Sequence, residues 1–328
     1  MKRYLSILFQ ITPWYLDTLI HGEQDRKKRI ALPEKIGIYS LDRDLSPRAF
    51  PFATGLYKDI AGNEVVIKVW TGKGRNIYYF NIIHQIEMTK LLSDVQDRFL
   101  KENDSTFTLP RYIDSSIADH EVYLIMEKVT GDSMEEMKDS EKQFQIYTEL
   151  LTFLQKLSTY CTITERKKIT VKSAKDFIFL YPIILASAMA MHPKLSLMLL
   201  KGTIYFLRGI PAIHDMKANS LVHGDLHPDN ILVKDDHTFY LLDTENMRFS
   251  YPIYESISSV SLKGNSQEMK DLVISKIIQP AKNKKWHSAV SALMINNITH
   301  NLTGDIDHKS VRSYLNIYNL ATGARSYV

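Results

Sequence analysis

Strict alternation of apolar and polar side chains marks Glu64–Trp70 as a strand. Val65, Ile67 and Val69 fall on one face, and Val66, Lys68 and Trp70 on the other. The run that begins at Gly55 meets this strand through an Ala61-Gly62-Asn63 turn, a hairpin that puts Gly55 nearly opposite Lys68. The period then changes. Over Asn81–Leu92, Ile83, Glu87 and Leu91 recur at i, i+4 and i+8, predicting a helix with a carboxylate on its apolar stripe. Val122–Met126 is another apolar strand, and it runs into Glu127–Gly131, a polar stretch suited to connect two lobes. Glu141–Ser158 reads as an amphipathic helix burying Phe144, Tyr147, Leu150, Leu151, Leu154 and Leu157. Two short apolar runs, Ile231–Val233 and Phe239–Leu242, flank Lys234–His237 and predict a second hairpin centred near Asp236.

Two stretches have the look of membrane segments. Phe177–Met191 is broken by Pro182 and ended by His192-Pro193-Lys194; Leu195–Leu207 is interrupted by Lys201-Gly202. Both fall short of the roughly 20 residues that span a bilayer. They are read as a buried helical pair, with a membrane-facing or lipid-substrate surface as the alternative. Met1-Lys2-Arg3 before Tyr4–Ile11 has the charge of a signal peptide, but the apolar run is short, contains Gln10 and lacks a small-residue cleavage site.

Composition adds limits. At 328 residues, with 45% hydrophobic and 24% charged side chains, the chain is an ordinary globular one with ample core material. A net charge of +4 with dispersed basic residues gives no nucleic-acid footprint. Arg26–Arg29 and Lys282–Lys285 read as solvated faces. The single cysteine, Cys161, excludes an intramolecular disulfide and a cysteine-built zinc site, in keeping with a cytoplasmic location. Thr71-Gly72-Lys73-Gly74 lacks the spacing of a Walker loop and is expected to link the Lys68 strand to the following helix.

The chemistry concentrates in His223-Gly224-Asp225-Leu226-His227-Pro228-Asp229-Asn230 and in Asp243. In the second predicted hairpin Asn230 opens one strand and Asp243 closes the other, roughly 5 Å apart at Cα. An amide oxygen and a carboxylate converging in this way suit Mg²⁺, a hard cation usually completed by substrate phosphates. Asp225 lies just before, free to orient an incoming hydroxyl. Lys68 stands among apolar neighbours and requires a partner. Glu87, itself stranded on an apolar stripe, is the expected one, and Glu102 the fallback.

The pattern H-G-D-x-H-x-x-N followed by a strand-terminal aspartate resembles the signature of the aminoglycoside phosphotransferase and choline kinase-like family, the small-molecule branch of the protein-kinase-like fold. The resemblance implies an α+β fold with a β-rich N-lobe and a mainly helical C-lobe. It implies an ATP- and Mg²⁺-dependent kinase that phosphorylates a hydroxyl of a small molecule. Asp225 then matches the catalytic base, Asn230 and Asp243 the Mg²⁺ ligands, and Lys68 the ATP-phosphate lysine paired with Glu87. Gly55 would approach the phosphates, and Glu127 and Val129 would offer backbone groups to adenine. His223 and His227 complete the signature, and Asp243-Thr244-Glu245 keeps the common D-x-E form. Departures are the absence of a full glycine-rich loop, Gln155 where many relatives have histidine, and Glu255 where the lobe-anchoring acid is usually aspartate.

The expected layout is an extension over residues 1–45, an N-lobe over 46–128 and a C-lobe over 129–328. The competing classes are a non-catalytic kinase-like binding module and an antibiotic-modifying aminoglycoside phosphotransferase. Joint retention of Lys68, Asp225, Asn230 and Asp243 favours catalysis. From Ser250 onward there are nine Lys/Arg against five Asp/Glu, poor matching for a polycationic acceptor. A sugar-containing or amphiphilic acceptor fits better; a lipid-linked one is admitted but not preferred. Trp286, Tyr314 and Tyr318 are candidates for stacking on it.

Overall fold

A computed structural model describes residues 31–46, 52–72, 77–235, 237–261, 265–282 and 286–302, together with 314, 317–319 and 321–322. Met1–Ile11, Arg26–Arg29, Lys73-Gly74, Asp236, Asn283–Lys285, Asp305 and Asp307, on which some expectations fall, lie outside the described residues. The chain divides into two compact units, Met1–Gly131 with Tyr240–Glu245, and Asp132–Phe239 with Asn246–Val328.

In the first unit, β1 (Lys35–Ile36), β2 (Tyr39–Asp44), β3 (Ala53–Lys58) and β4 (Glu64–Thr71) precede helix α1 (Ile77–Glu102). After α1 come β5 (Phe107–Thr108), β6 (Tyr112–Ile117) and β7 (Glu121–Glu127). Six strands form one antiparallel sheet in the order β1-β2-β3-β4-β7-β6. β1 and β2 lie inside the stretch expected to be an extension, so that part of residues 1–45 is sheet. The predicted alternation of β4 gives the sheet its two cores. Val65, Ile67 and Val69 pack with Tyr57, Ile36 and Ile125 on one face. Trp70 packs with Tyr79, Ile82, Ile86, Val122 and Leu124 on the other. Burying each of these side chains contributes about 1.5–3 kcal/mol.

Helix α1 is longer than predicted and rotated relative to the predicted stripe. Its buried positions include Ile82, Gln85, Ile86, Thr89, Leu92, Ser93, Gln96 and Phe99, while Glu87 is exposed. Four of the buried side chains are polar, which hid the true face from a hydrophobicity count. Two of them tie down backbone instead. Ser93 Oγ accepts from Tyr112 N at 2.8 Å, and Gln96 bonds both the carbonyl and the N–H of Leu109.

The second unit contains β8 (Asp132–Ser133), α2 (Ser140–Tyr160), α3 (Ile163–Lys168), α4 (Ala174–Met191), α5 (Ser196–Asp215) and β9 (Ser220–Val222). Next come β10 (Ile231–Asp235) and β11 (Thr238–Leu241), the latter crossing into the first unit at Tyr240. The chain returns with β12 (Arg248–Ser250), α6 (Pro252–Ser261), α7 (Gln267–Val273), α8 (Gln279–Lys282) and α9 (His287–Asn301). Helix α2 starts at an Asp139 cap and buries Tyr147, Leu150, Leu154 and Leu157 as expected. It also buries Ile146 and Phe153, whereas Phe144 and Leu151 are half-buried. α9 is buried along nearly its whole length, and α5 packs directly on it.

That close packing rests on Gly209. A Cβ there would sit 2.2 Å from the Ser288 carbonyl oxygen and 2.5 Å from Ala292 Cβ. Alanine is favoured over glycine inside a helix by about 1 kcal/mol. Overpacking against rigid backbone costs about 1–3 kcal/mol, so the clash should win. Gly209→Ala is therefore expected to lower unfolding stability and Gly209→Leu to lower it further, read from urea denaturation midpoints. A more stable Gly209→Ala protein would show that the two helices are not in contact there.

Candidate active site

Lys68 projects from β4 and donates to Asp243 Oδ1 at 3.1 Å and to Glu245 Oε2 at 3.1 Å. Its side chain is only 12% exposed. Burial lowers the ammonium's pKa, but the two carboxylates more than reverse this, so Lys68 stays protonated well above neutral pH. Gln85 from α1 also donates to Asp243 Oδ1, at 3.2 Å, and Thr89 and Thr244 hydroxyls bond at 3.0 Å. Asp243 has φ +57°, a left-handed conformation unusual for a residue with a Cβ and found in no other non-glycine among the described residues. Strain of this kind costs on the order of 1–3 kcal/mol and persists where surrounding contacts over-determine it. Here Lys68, Gln85 and the Thr89–Thr244 bond do so.

The expected Lys68–Glu87 pair is not formed. Glu87 is exposed on α1, and Gln85, two residues earlier, occupies the position that faces the site. Glu102 ends α1 and is exposed, so it does not take Glu87's place. Gly55 also differs from expectation by one register step: Thr54 pairs with Lys68, and Gly55 pairs with Ile67. A Cβ on Gly55 would sit 2.7 Å from the Tyr57 ring and 3.0 Å from Leu32 and Leu41 side chains. Packing on the face away from Lys68 accounts for that glycine. Glu127 closes β7, and its N–H donates to the Arg111 carbonyl at 2.9 Å. Val129 follows in the irregular, half-buried stretch just before the unit boundary at Gly131.

In the second unit the signature loop leaves β9, which pairs antiparallel with β12 (Val222 opposite Arg248). His223 N and Gly224 N both donate to Glu255 Oε2, at 2.5 and 3.1 Å. Burial raises the Glu255 carboxyl above its ordinary range, against the opposing pull of His223, Arg248 and the two N–H donors. Gly224 has φ +84°, and a Cβ on it would lie 2.7 Å from the Asn246 carbonyl oxygen. No other residue type fits without moving the loop. Burial raises the Asp225 carboxyl, but His227, with Nε2 3.4 Å from Oδ1, and the charges of His223 and Arg248 bring it below the ordinary range. Asp225 is thus ionised at neutral pH.

Asn230 ends a 3₁₀ turn, Pro228–Asn230, immediately before β10, and Asp243 lies two residues past the end of β11. Neither is within a strand as the hairpin reading had it. β10 is held by β8, with Leu232 opposite Ser133 and Val233 opposite Asp132, and Ser133 Oγ donates to Asp229 at 3.1 Å. Asn230 Nδ2 donates to the Asp225 carbonyl at 2.9 Å, so the amide nitrogen is engaged by the loop. Asp243 uses Oδ1 for Lys68 and Gln85, leaving Oδ2. An amide oxygen and a carboxylate oxygen are each, by themselves, hard donors of the kind Mg²⁺ takes.

Sequence reasoning missed Gln85, Thr89 and Arg248. The first two are polar residues on a buried helix face, and Arg248 carries no motif. Of the aromatic candidates, Tyr314 and Tyr318 are buried. Trp286 lines a cavity of about 640 Å³ that Leu154, Gln155, Met216 and Glu255 also border.

Residues 201–268 match the model of a family described as APH, phosphotransferase enzyme family. No curated protein matches the chain significantly. Solved structures of similar fold include a thermostable mutant of aminoglycoside phosphotransferase APH(4)-Ia in ternary complex with AMP-PNP and hygromycin B. It has TM-score 0.55 and 14% identity, over 88% of this chain and 93% of that one. Spectinomycin phosphotransferase APH(9)-Ia in complex with ADP and spectinomycin is similar at TM-score 0.53 and 10% identity, over 88% and 93%. ADP-bound APH(2'')-Ib is similar at 0.52 and 16%, over 92% and 97%. The fold is that of the kinase-like phosphotransferases, α+β with a β-rich first part and a mainly helical second. The family match across the signature loop and the likeness of fold point the same way: in both, the chain is similar to phosphotransferases.

The geometry around Lys68 makes a direct prediction. Lys68→Met and Glu245→Gln should couple by about 0.5–3 kcal/mol in a double-mutant cycle of unfolding free energies. Lys68→Met and Glu87→Gln should add to within about 0.5 kcal/mol. The reverse pattern would restore Glu87 as the partner.

Proposed function

We propose that this enzyme transfers the γ-phosphate of ATP to a hydroxyl of a small sugar-containing or amphiphilic molecule. The observation that carries the proposal is Asp225: ionised, set beside His227, and mounted on a loop whose backbone is fastened to Glu255. An ionised carboxylate in that setting accepts the proton of an attacking hydroxyl and orients it. Lys68 supplies a fixed positive charge for the phosphates. Asn230 and Asp243 would hold Mg²⁺, which when bound would supply positive charge to the transferring phosphate. Adenine is assigned to the Glu127–Val129 stretch. The Glu127 N–H is already engaged by Arg111, so the donor role falls to Val129.

The solved structures named above include complexes with hygromycin B and spectinomycin, which makes an antibiotic-modifying enzyme the second reading. Charge opposes it. A polycation needs carboxylates around its amines, and like-charge contacts reject it. The chain beyond Ser250 has a basic surplus, and Lys172 and Arg248 both stand over the Tyr254 ring, with Lys172 donating to its hydroxyl at 2.7 Å. A neutral, anionic or amphiphilic hydroxyl compound suits these surroundings better.

An acceptor screen with radiolabelled ATP against sugars, choline-like amines, lipid-linked glycans and aminoglycosides tests the reading. With the acceptor in hand, Asp225→Asn should lower kcat by about 10²–10⁴-fold and leave nucleotide affinity within a few-fold. Turnover near wild type in Asp225→Asn would remove the base from the account. Ordinary turnover on kanamycin-type acceptors at micromolar KM, with resistance in a susceptible host, would establish the second reading instead.

A further inference from the structure

The two apolar helices expected to be a buried pair are buried on one side only. From α4, Phe177, Tyr181, Ile184 and Ala188 face inward, and from α5, Gly202, Phe206, Gly209 and Ile213 do so, both helices packing on α9. The apolar composition then continues onto the solvent side. Along α5, Leu197, Leu200, Ile204 and Leu207 are 67, 49, 50 and 57% exposed. Their spacing of three, four and three residues makes them one continuous stripe. Ile178 and Met191 of α4 are exposed as well. By length and composition, Ala174–Met191 and Pro193–Asp215 would each pass for a membrane span, yet only 33% and 28% of an apolar 18-residue stretch in each is buried inside the protein. Single exposed leucines are ordinary on a protein surface; a contiguous stripe along one helix marks an interaction site.

Charge identifies the occupant. Residues 177–214 contain no aspartate or glutamate. In the same interval Lys194, Lys201 and Arg208 are exposed, and Lys175, two residues before it, adds a fourth exposed cation. Asp176 is buried and occupied with capping Ser173, so the first exposed acid is Asp215, at the last residue of α5. An apolar stripe edged by lysine and arginine, without acids, is the pattern of a helix lying in a membrane interface. Its apolar side chains enter the headgroup–acyl boundary, while the cationic heads reach back to lipid phosphates. Insertion across the bilayer is excluded by the inner face of α5, which is committed to α9. A second copy of this chain is a poor occupant, because apposed faces would bring cation against cation.

We propose that the outer face of α4 and α5 docks this protein peripherally on an anionic lipid bilayer. The proposal does not depend on the catalytic reading, since its residues and its readout are separate from Lys68 and Asp225.

Co-sedimentation of the full chain with vesicles tests it, comparing pure phosphatidylcholine with phosphatidylcholine containing one third phosphatidylserine. Partitioning onto the anionic vesicles should be at least about ten-fold stronger and should weaken as salt is raised. Lys201→Glu with Arg208→Glu, surface changes that leave the α9 contact intact, should abolish the preference for anionic vesicles. Leu200→Ser with Ile204→Ser and Leu207→Ser should reduce partitioning about ten-fold or more, with circular dichroism confirming an unchanged fold. Equal recovery in the supernatant with both vesicle types would overturn the proposal. So would a dimer in sedimentation equilibrium that the leucine and isoleucine substitutions dissolve while vesicle binding is absent, which would make the face a self-association surface.

Discussion

The first unit is organised around one ammonium group held between two carboxylates. Lys68 has little access to water, and its charge is tolerable there only because Asp243 and Glu245 both lie at 3.1 Å. Those acids come from a six-residue segment 175 positions further along the chain, which groups with the sheet rather than with its own sequence neighbours. The unusual backbone of Asp243 follows from the same constraint. Its carboxylate must meet Lys68 and Gln85 together, and the left-handed turn at Asp243 is compatible with that meeting while Thr244 bonds Thr89. Removing Lys68 would leave two carboxylates facing each other in a partly buried place. The packing of this unit therefore depends on that one charge.

The second unit solves a comparable problem with the charges reversed. Glu255 is buried, and the two backbone N–H groups of the signature loop converge on one of its oxygens. This fixes the direction in which the loop leaves β9, and Gly224 permits the sharp turn that follows. Asp225, immediately after, is more exposed and is kept ionised by His227, His223 and Arg248. Two carboxyl groups thus have opposite roles because of their surroundings. The buried one anchors backbone, and the more open one keeps its charge beside His227.

Much of this was legible in the sequence where a period or a spacing was strong. The β4 alternation set both faces of the sheet correctly, and the spacing from His223 to Asn230 marked a loop that the structure holds together by real bonds. Legibility failed where polar residues are buried. On α1, Gln85, Thr89, Ser93 and Gln96 face inward to bond backbone and turn residues, so counting apolar positions shifted the stripe and gave Lys68 the wrong partner. Register failed by one residue at Gly55, because a turn length read from sequence does not fix which residues of β3 and β4 face each other. The α4–α5 segment shows a third limit. Hydropathy measures how apolar a helix is, not which side is covered, and here Leu197, Leu200, Ile204 and Leu207 lie on the uncovered side.

The central claim is that Asp243, held by Lys68, is a metal-dependent nucleotide ligand rather than a purely structural ion-pair partner. Isothermal titration of a non-hydrolysable ATP analogue, with and without Mg²⁺, into wild type and Asp243→Asn addresses it most directly. Asparagine tolerates the left-handed backbone and can still accept from Lys68 and Gln85, so the variant removes charge while sparing the turn. The account predicts Mg²⁺-dependent binding in the wild type that weakens at least about ten-fold in the variant, a loss of about 1.4 kcal/mol or more. Nucleotide binding of equal strength in both proteins, indifferent to Mg²⁺, would contradict it.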